Sequence, residues 1–572
     1  MLNIVDITFT DERRLLERDA QHTRRAAAYG GFMNITRTTS VAAAAAALMV
    51  LAACSGGTEG NSGSPTDISI TTSVPEPKGD VDSITWNLPA GEPNTLDPAQ
   101  SALDSISTLD ANLCEQLATF GPGYELQPSL AETISEPDDK TFVFDLRNGV
   151  TFWDGTAMTA DDVVYSMERV RDENVASAWA SSFDGVTSIE KTGPMQVTVK
   201  FAEPNVLFRW YQATPAMSIV SKAATEKLGK DFGTSSGGIM CTGPYKVEEW
   251  RSGQDITLVR NDAYWGVKPM VAKARFTFDT DTASSTSALL RGDVDGQWIN
   301  AVSSQTTLAQ SDAGSMLYGE SLSPVFLTTF TQDEAVTNPK IREAMSMAFD
   351  VQGIASSVYG GAAEPIKKLT PPATWGYSKP IFQAAYDELP EPEQDLDAAR
   401  KLVEEAGDVP PLTFAYDNGS AEESKIALSM QASAKQIGLD IELRSLASTD
   451  YYKIFYDEQS REGLSGYIVR GYLDFPEPLS YDLYGTQGSY YNYVGYDNAE
   501  YDKLLAEATA TTDDDARAEL VTKAEALRDE DNYVFPLVTP YIDVFVNNRL
   551  TGLVPRQSFL YTPWLASVGS SK

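Results

Sequence analysis

Histidine is almost missing from this chain. The single one, His22, lies within the first 32 residues. A mature chain that starts beyond that segment has none, which excludes Ser-His-Asp and Cys-His catalysis and every histidine-based metal site. Cysteine is scarce, with Cys54, Cys114 and Cys241 the full set. Basic side chains are outnumbered, 44 Lys and Arg against 81 Asp and Glu, and the formal net charge is −37. Nucleic acid and anionic lipid surfaces are therefore poor partners. Solubility outside the cell is the simplest reason for the acidity, and a cationic ligand is the alternative. No repeat of 20–50 residues is visible. Long apolar runs are also missing: residues 41–53 form the one notable stretch, too short to span a bilayer.

That stretch, VAAAAAALMVLAA, has the length of a signal-peptide core. It ends in Leu51-Ala52-Ala53-Cys54, small residues before a cysteine, the pattern of a lipobox in which Cys54 is acylated and becomes the mature N-terminus. The Gly/Ser-rich segment after it suits a flexible tether. Residues 1–32 are charged and helical in character, unlike a signal peptide, whereas Met33 opens a short n-region with Arg37. The expected layout is a non-native leader at 1–32 upstream of a start at Met33, a lipoprotein signal peptide at 33–53, and a lipidated tether at 54–82. The mature chain is then held to the membrane by lipid.

What remains, roughly 520 residues, is enough for about three compact units. The full chain is 42% apolar and 10% aromatic, so it can bury a large core. Strand and helix patterns alternate along it, which predicts an α/β fold. Strands are expected in DSITWNLP (82–89), MQVTVKF, GPYKVEEW, DITLVR, LTFAYD and DIELRSL. Helices are expected at 105–120, after Asn338-Pro339, at 395–407 with Gly407 as its stop, and in IALSMQASAKQIG. The densest local pattern is 144–170. Phe142, Phe144 and Leu146 alternate with polar residues as in a half-buried strand. Trp153-Asp154-Gly155-Thr156 is turn chemistry. Thr159 stands three residues before Asp162, a helix start, and Val163, Val164, Met167 and Val170 form one apolar face.

The same stretch resembles the signature of the family 5 solute-binding proteins of ABC importers, through Leu146, Arg147, Gly149, Val150, Phe152, Asp154, Gly155, Ala160, Asp162 and Val163. Further segments are similar: Thr95-Leu96-Asp97-Pro98, Pro128-x-Leu130-Ala131-Glu132, CTGPYKVEEW (241–250), RNDAYWGVKP (260–269) and YVGYDNAEYDKLLAEA (493–508). The resemblance implies a two-lobe periplasmic-binding-protein-like fold, of type II in its enlarged cluster C form, with a ligand cleft between the lobes. It places 83–278 plus 537–567 in the first lobe and 279–536 in the second, with crossings near Phe276–Asp279 and Val534–Leu537. Cys114 and Cys241 fall in segments that the family places in one lobe, which favours a disulfide between them over two separate buried thiols.

For the ligand, the resemblance points to Asp474 in YIVRGYLDFPEP (467–478). Peptide-binding members have a similar D-x-x-x-P segment whose aspartate pairs with the free α-amine of the peptide, and Asp474, Glu477 and Pro478 match it. A turn aspartate capping its own backbone is the alternative. Arg470 is shifted relative to the arginine that some members use for a carboxylate. Tyr472, Trp375 and Trp298 are candidate aromatic walls, and Asn94 a candidate polar contact, each with a core or loop role as the alternative. The function implied is a monomeric, lipid-anchored receptor that binds di- or oligopeptides and hands them to ABC permease and ATPase subunits. It uses no cofactor and no metal. The same fold with a nickel chelate, oligosaccharide or amine metabolite is a second reading, and a secreted hydrolase or a ligand sensor are others. The missing histidine and the lack of a nucleophile motif argue against the hydrolase.

Overall fold

A computed structural model describes residues 68–101, 103–489 and 491–572. The expected leader and signal peptide, Cys54 and the first half of the expected tether lie outside the described residues. None of the described helices is long and apolar enough to cross a membrane.

Two large sheets organise the chain. The first has seven strands in the order Gly314–Gly319, Ile542–Asn547, Gly296–Trp298, Ile84–Asn87, Lys273–Thr277, Asp255–Arg260 and Tyr245–Arg251. Ile84–Asn87 runs parallel to both of its neighbours. The second has six, in the order Ala363–Pro365, Val534–Pro540, Val325–Thr329, Gly466–Arg470, Leu412–Asp417 and Ile441–Leu446. A four-stranded antiparallel sheet, Ala131–Asp138, Thr141–Leu146, Gln196–Phe201 and Val186–Gly193, packs into the core of the first lobe. A separate core fills the second lobe behind Leu327, Phe414, Ile468 and Phe535.

The chain passes from the first sheet to the second between Gly319 and Val325, and returns at Tyr541. A first crossing at 276–279 would put Gly296–Trp298 and Gly314–Gly319 in the second lobe. Both are hydrogen-bonded to Ile542–Asn547 in the first sheet. A return at 534–537 would likewise cut the strand Val534–Pro540, which pairs along its length in the second sheet. The reason is physical: VFPLVTPYIDVFVN is one nearly continuous apolar run, and only the pairing partners divide it.

The 144–170 segment folds as its pattern dictates. Phe142, Phe144 and Leu146 are buried along Thr141–Leu146, each side chain contributing about 1.5–3 kcal/mol by leaving water. Gly155 takes φ +87°, which the turn requires. The Asp162 carboxylate accepts from the Thr159 backbone N–H at 3.0 Å and from its hydroxyl at 2.7 Å, fixing the start of helix Ala160–Arg171. Its other oxygen accepts from Lys222 N–H at 3.1 Å, so the cap also ties that helix to the helix Lys222–Leu228. The helix expected over 105–120 is shorter, Asp104–Asp110. Beyond it the chain turns, Cys114 is disulfide-bonded to Cys241 with Cα atoms 5.0 Å apart, and Ala118–Phe120 pairs with Leu126–Pro128.

Candidate ligand-binding site

Side chains alternate along a strand, and this decides the site. Gly466–Arg470 carries Tyr467 and Val469 toward one cavity and Arg470 toward another.

The larger cavity, about 500 Å³, lies between the two sheets. Trp86, Asn87, Trp298, Asn300 and Asp543 line it from the ends of first-sheet strands. Val325 and Arg470 line it from the second sheet, with Glu422 and Glu423 in the first turn of helix Ala421–Gln436. Strand ends are where α/β folds place ligands. The wall is held by hydrogen bonds. Asn87 Nδ2 donates to Gln297 Oε1 and to Asp279 O, both at 2.8 Å. Asp543 accepts from Asn300 N–H at 2.9 Å, from Asn300 Nδ2 at 2.7 Å and from Gln305 Nε2 at 3.2 Å. Burial still pushes the Asp543 carboxyl up to about 6. Between Trp298 and Asn300, Ile299 sits at φ +54°, a left-handed backbone that costs a β-branched residue of order 1–3 kcal/mol.

The smaller cavity, about 310 Å³, is walled by aromatic rings: Phe326, Phe455, Tyr467, Tyr472, Tyr481, Tyr484, Tyr491 and Tyr493. Asp474 is the one carboxylate in its described lining. It is half-buried, and the Tyr561 hydroxyl donates to it. Burial pushes its carboxyl up to about 6, against the lowering effect of that hydrogen bond. Tyr472 Oη lies 3.3 Å from Tyr561 Oη, and Gln557 Nε2 donates to Leu473 O at 3.1 Å. Tyr561 and Gln557 belong to the segment that follows the last first-sheet strand, so these contacts join the lobes beside Asp474.

The candidates thus separate. Asp474 and Tyr472 share the aromatic cavity, while Arg470 and Trp298 line the inter-sheet one. Trp375 lines neither; it is buried against Phe382, and its indole N–H donates to Thr370 O at 2.9 Å. Asn94 is exposed in a loop and lines neither cavity. The rest of the D-x-x-x-P segment is scaffold. Glu477 is fully buried, 3.7 Å from Arg517, with Trp210 Nε1 donating to it at 3.2 Å, while Pro478 opens a short helix.

The model of "Bacterial extracellular solute-binding proteins, family 5 Middle" matches residues 125–493. The chain belongs to this family. Its members are the solute-binding proteins of ABC importers, carriers rather than enzymes. Among curated relatives, the probable D,D-dipeptide-binding periplasmic protein DdpA of Escherichia coli is 26% identical over 497 residues, covering 84% of this chain and 92% of the relative. The periplasmic oligopeptide-binding protein OppA of Salmonella typhimurium is 26% identical over 483 residues, covering 80% and 86%. Among solved structures, the ABC transporter substrate-binding protein CtaP of Listeria monocytogenes superposes with a TM-score of 0.76 at 22% identity, covering 86% of this chain and all of that one. The oligopeptide-binding protein AppA of Bacillus subtilis, in complex with a nonapeptide, gives 0.72 at 22% identity, covering 87% and 100%. The two-lobe fold of these structures is the fold seen here.

Within this family 5 protein, several lining residues carry no local sequence signal. Glu422 and Glu423 read as ordinary first-turn acids of a helix. Trp86 and Asn300 read as a strand residue and a loop residue. Tyr481, Tyr484 and Tyr491 are tyrosines among many, 26 in the chain. Only the pairing of strands from distant segments brings them to the walls of the two cavities.

Proposed function

We propose that this protein is a lipid-anchored receptor, tethered through Cys54 outside the cell membrane, that binds di- or oligopeptides and delivers them to an ABC permease and its ATPase. The observation that carries the reading is Asp474: a carboxylate without a basic partner among the described residues, in an aromatic cavity, beside contacts that join the two lobes. A peptide α-amine entering there exchanges water for the carboxylate and the faces of the tyrosine rings, and both attract a cation. The aromatic walls offer apolar surface without reading a particular side chain, which suits a receptor of broad specificity. Closure of the lobes draws its free energy from tighter binding in the closed state. The names of the relatives, several of them peptide-binding proteins, support the same ligand class. Native mass spectrometry of protein purified without denaturation tests it. A mixture of short peptides bound one per protein is the expected result; a single sugar or metal chelate refutes the peptide reading. Mass analysis of the membrane-extracted protein, with and without Cys54→Ser, tests the anchor.

A further inference from the structure

The inter-sheet cavity holds more negative charge than its own residues answer. Asp104, Glu422, Glu423 and Asp543 line it against one cation, Arg470. Asp543 is satisfied by Asn300 and Gln305. The other three carboxylates and Arg470 form no salt bridge among the described residues. Glu423 accepts only the Asp417 N–H, at 3.0 Å. Its carboxyl is pushed up to about 7, first by burial and then by the nearby charges of Asp417 and Glu422. The opposite wall carries polar atoms left without partners. The indole N–H groups of Trp86 and Trp298 and the side-chain oxygen of Asn300 are all unpaired, on side chains that are 0%, 3% and 3% exposed. An unpaired buried polar group is costly, so three behind one cavity wall are a cost that packing alone does not explain.

We propose that this cavity is a subsite for a basic group of the solute, an ammonium or guanidinium on a flexible stem, held by Glu422, Glu423 and Asp104. Arg470 holds an acidic group if the solute has one. The proposal rests on the reading that the solute lies between the lobes, and it adds a preference: basic peptides over neutral ones, and neutral over acidic. It also gives part of the chain's acidity a task beyond solubility.

The test is calorimetric titration of the full-length protein with Ala-Ala-Ala and with tripeptides carrying one lysine or one glutamate at each position. At least one lysine peptide should bind about tenfold or more tighter than Ala-Ala-Ala, and the Glu422→Gln/Glu423→Gln variant should shrink that preference to about threefold or less. Affinity for Ala-Ala-Ala should change less than affinity for that lysine peptide. The single Glu422→Gln change, at a half-exposed position, keeps the test readable if the double variant folds poorly. A purely helix-stabilising role for these acids would lower the melting temperature and leave the preference intact, and that result overturns the proposal, as does a wild type that does not discriminate. Agmatine, a cation without a peptide bond, separates the two readings. If no tripeptide binds but agmatine raises the melting temperature of the wild type and not of the double variant, the peptide reading falls and the basic subsite stands. If neither binds, both fall.

Discussion

Replacing Asp474 by asparagine removes a charge and almost nothing else. The amide keeps the shape of the carboxyl, and its oxygen still accepts the Tyr561 hydroxyl hydrogen bond. The variant should therefore fold. A half-buried ammonium–carboxylate pair is worth about 2–5 kcal/mol when one partner is removed. Asp474 keeps some contact with water, so the lower half of that range applies, about 30-fold to 400-fold in Kd. The pH dependence follows from the carboxyl, which burial lifts to about 6 in the empty site. Below that value it is protonated and cannot pair, so wild-type affinity for an amine ligand should rise with pH up to about 6–7. It should then hold until the α-amine itself deprotonates near about 8. The asparagine variant should show no rise between pH 5 and 7. Stability moves in the opposite sense. The folded-state carboxyl binds its proton more tightly than the ordinary carboxyl of the unfolded chain, so the stability it contributes is lost as pH rises from about 4 to about 6. The variant does not suffer that loss, and at pH 7 it should be the more stable protein, by at most about 3 kcal/mol. Calorimetric titration with Ala-Ala-Ala at pH 5, 6, 7 and 8, beside melts at pH 4 and 7, measures both. A wild-type affinity equal at pH 5 and 7, or a variant within about threefold of wild type at pH 7, refutes the assignment of Asp474 to the ligand amine.

Other expectations follow from the same structure. Reducing the Cys114–Cys241 bridge, or replacing both cysteines by serine, opens a loop with a sequence separation of 127; chain entropy alone predicts a loss of about 4–5 kcal/mol, visible as a lower melting temperature in dithiothreitol. Arg517→Met strands the buried Glu477 and should cost about 3–5 kcal/mol in urea unfolding, with part of the loss recovered when Glu477→Gln is added. Gly466→Ala would place a methyl 2.1 Å from the Thr328 carbonyl oxygen, in the strand between the two cavities. It should weaken binding as well as lower stability by about 1–3 kcal/mol. Asp162→Ala removes the cap shared by two helices and should cost about 1–2 kcal/mol while leaving ligand affinity unchanged, since it lies far in sequence and fold from either cavity.

The sequence by itself determined the local elements and the family. The strand, turn and capped helix around 144–170 form because alternating apolar residues, a glycine at positive φ and an acidic cap act over a few residues. Those forces need no tertiary partner to be recognised. The helices at 339–348 and 396–406 and most strands were legible for the same reason. The tertiary structure alone decided the rest. Where the lobes divide depends on which strands share hydrogen bonds, and Gly296–Trp298 and Gly314–Gly319 find their partners more than 200 residues away. The composition of the site depends on which face of a strand each side chain takes. Arg470 and Asp474 are four residues apart, yet the pleat and the turn after it send them to different cavities. Trp375, with all the chemistry of a ligand wall, packs instead against Phe382. Glu422 and Glu423, which look like any helix start, face Trp86 and Trp298 across the cleft only because two sheets from distant parts of the chain close over it.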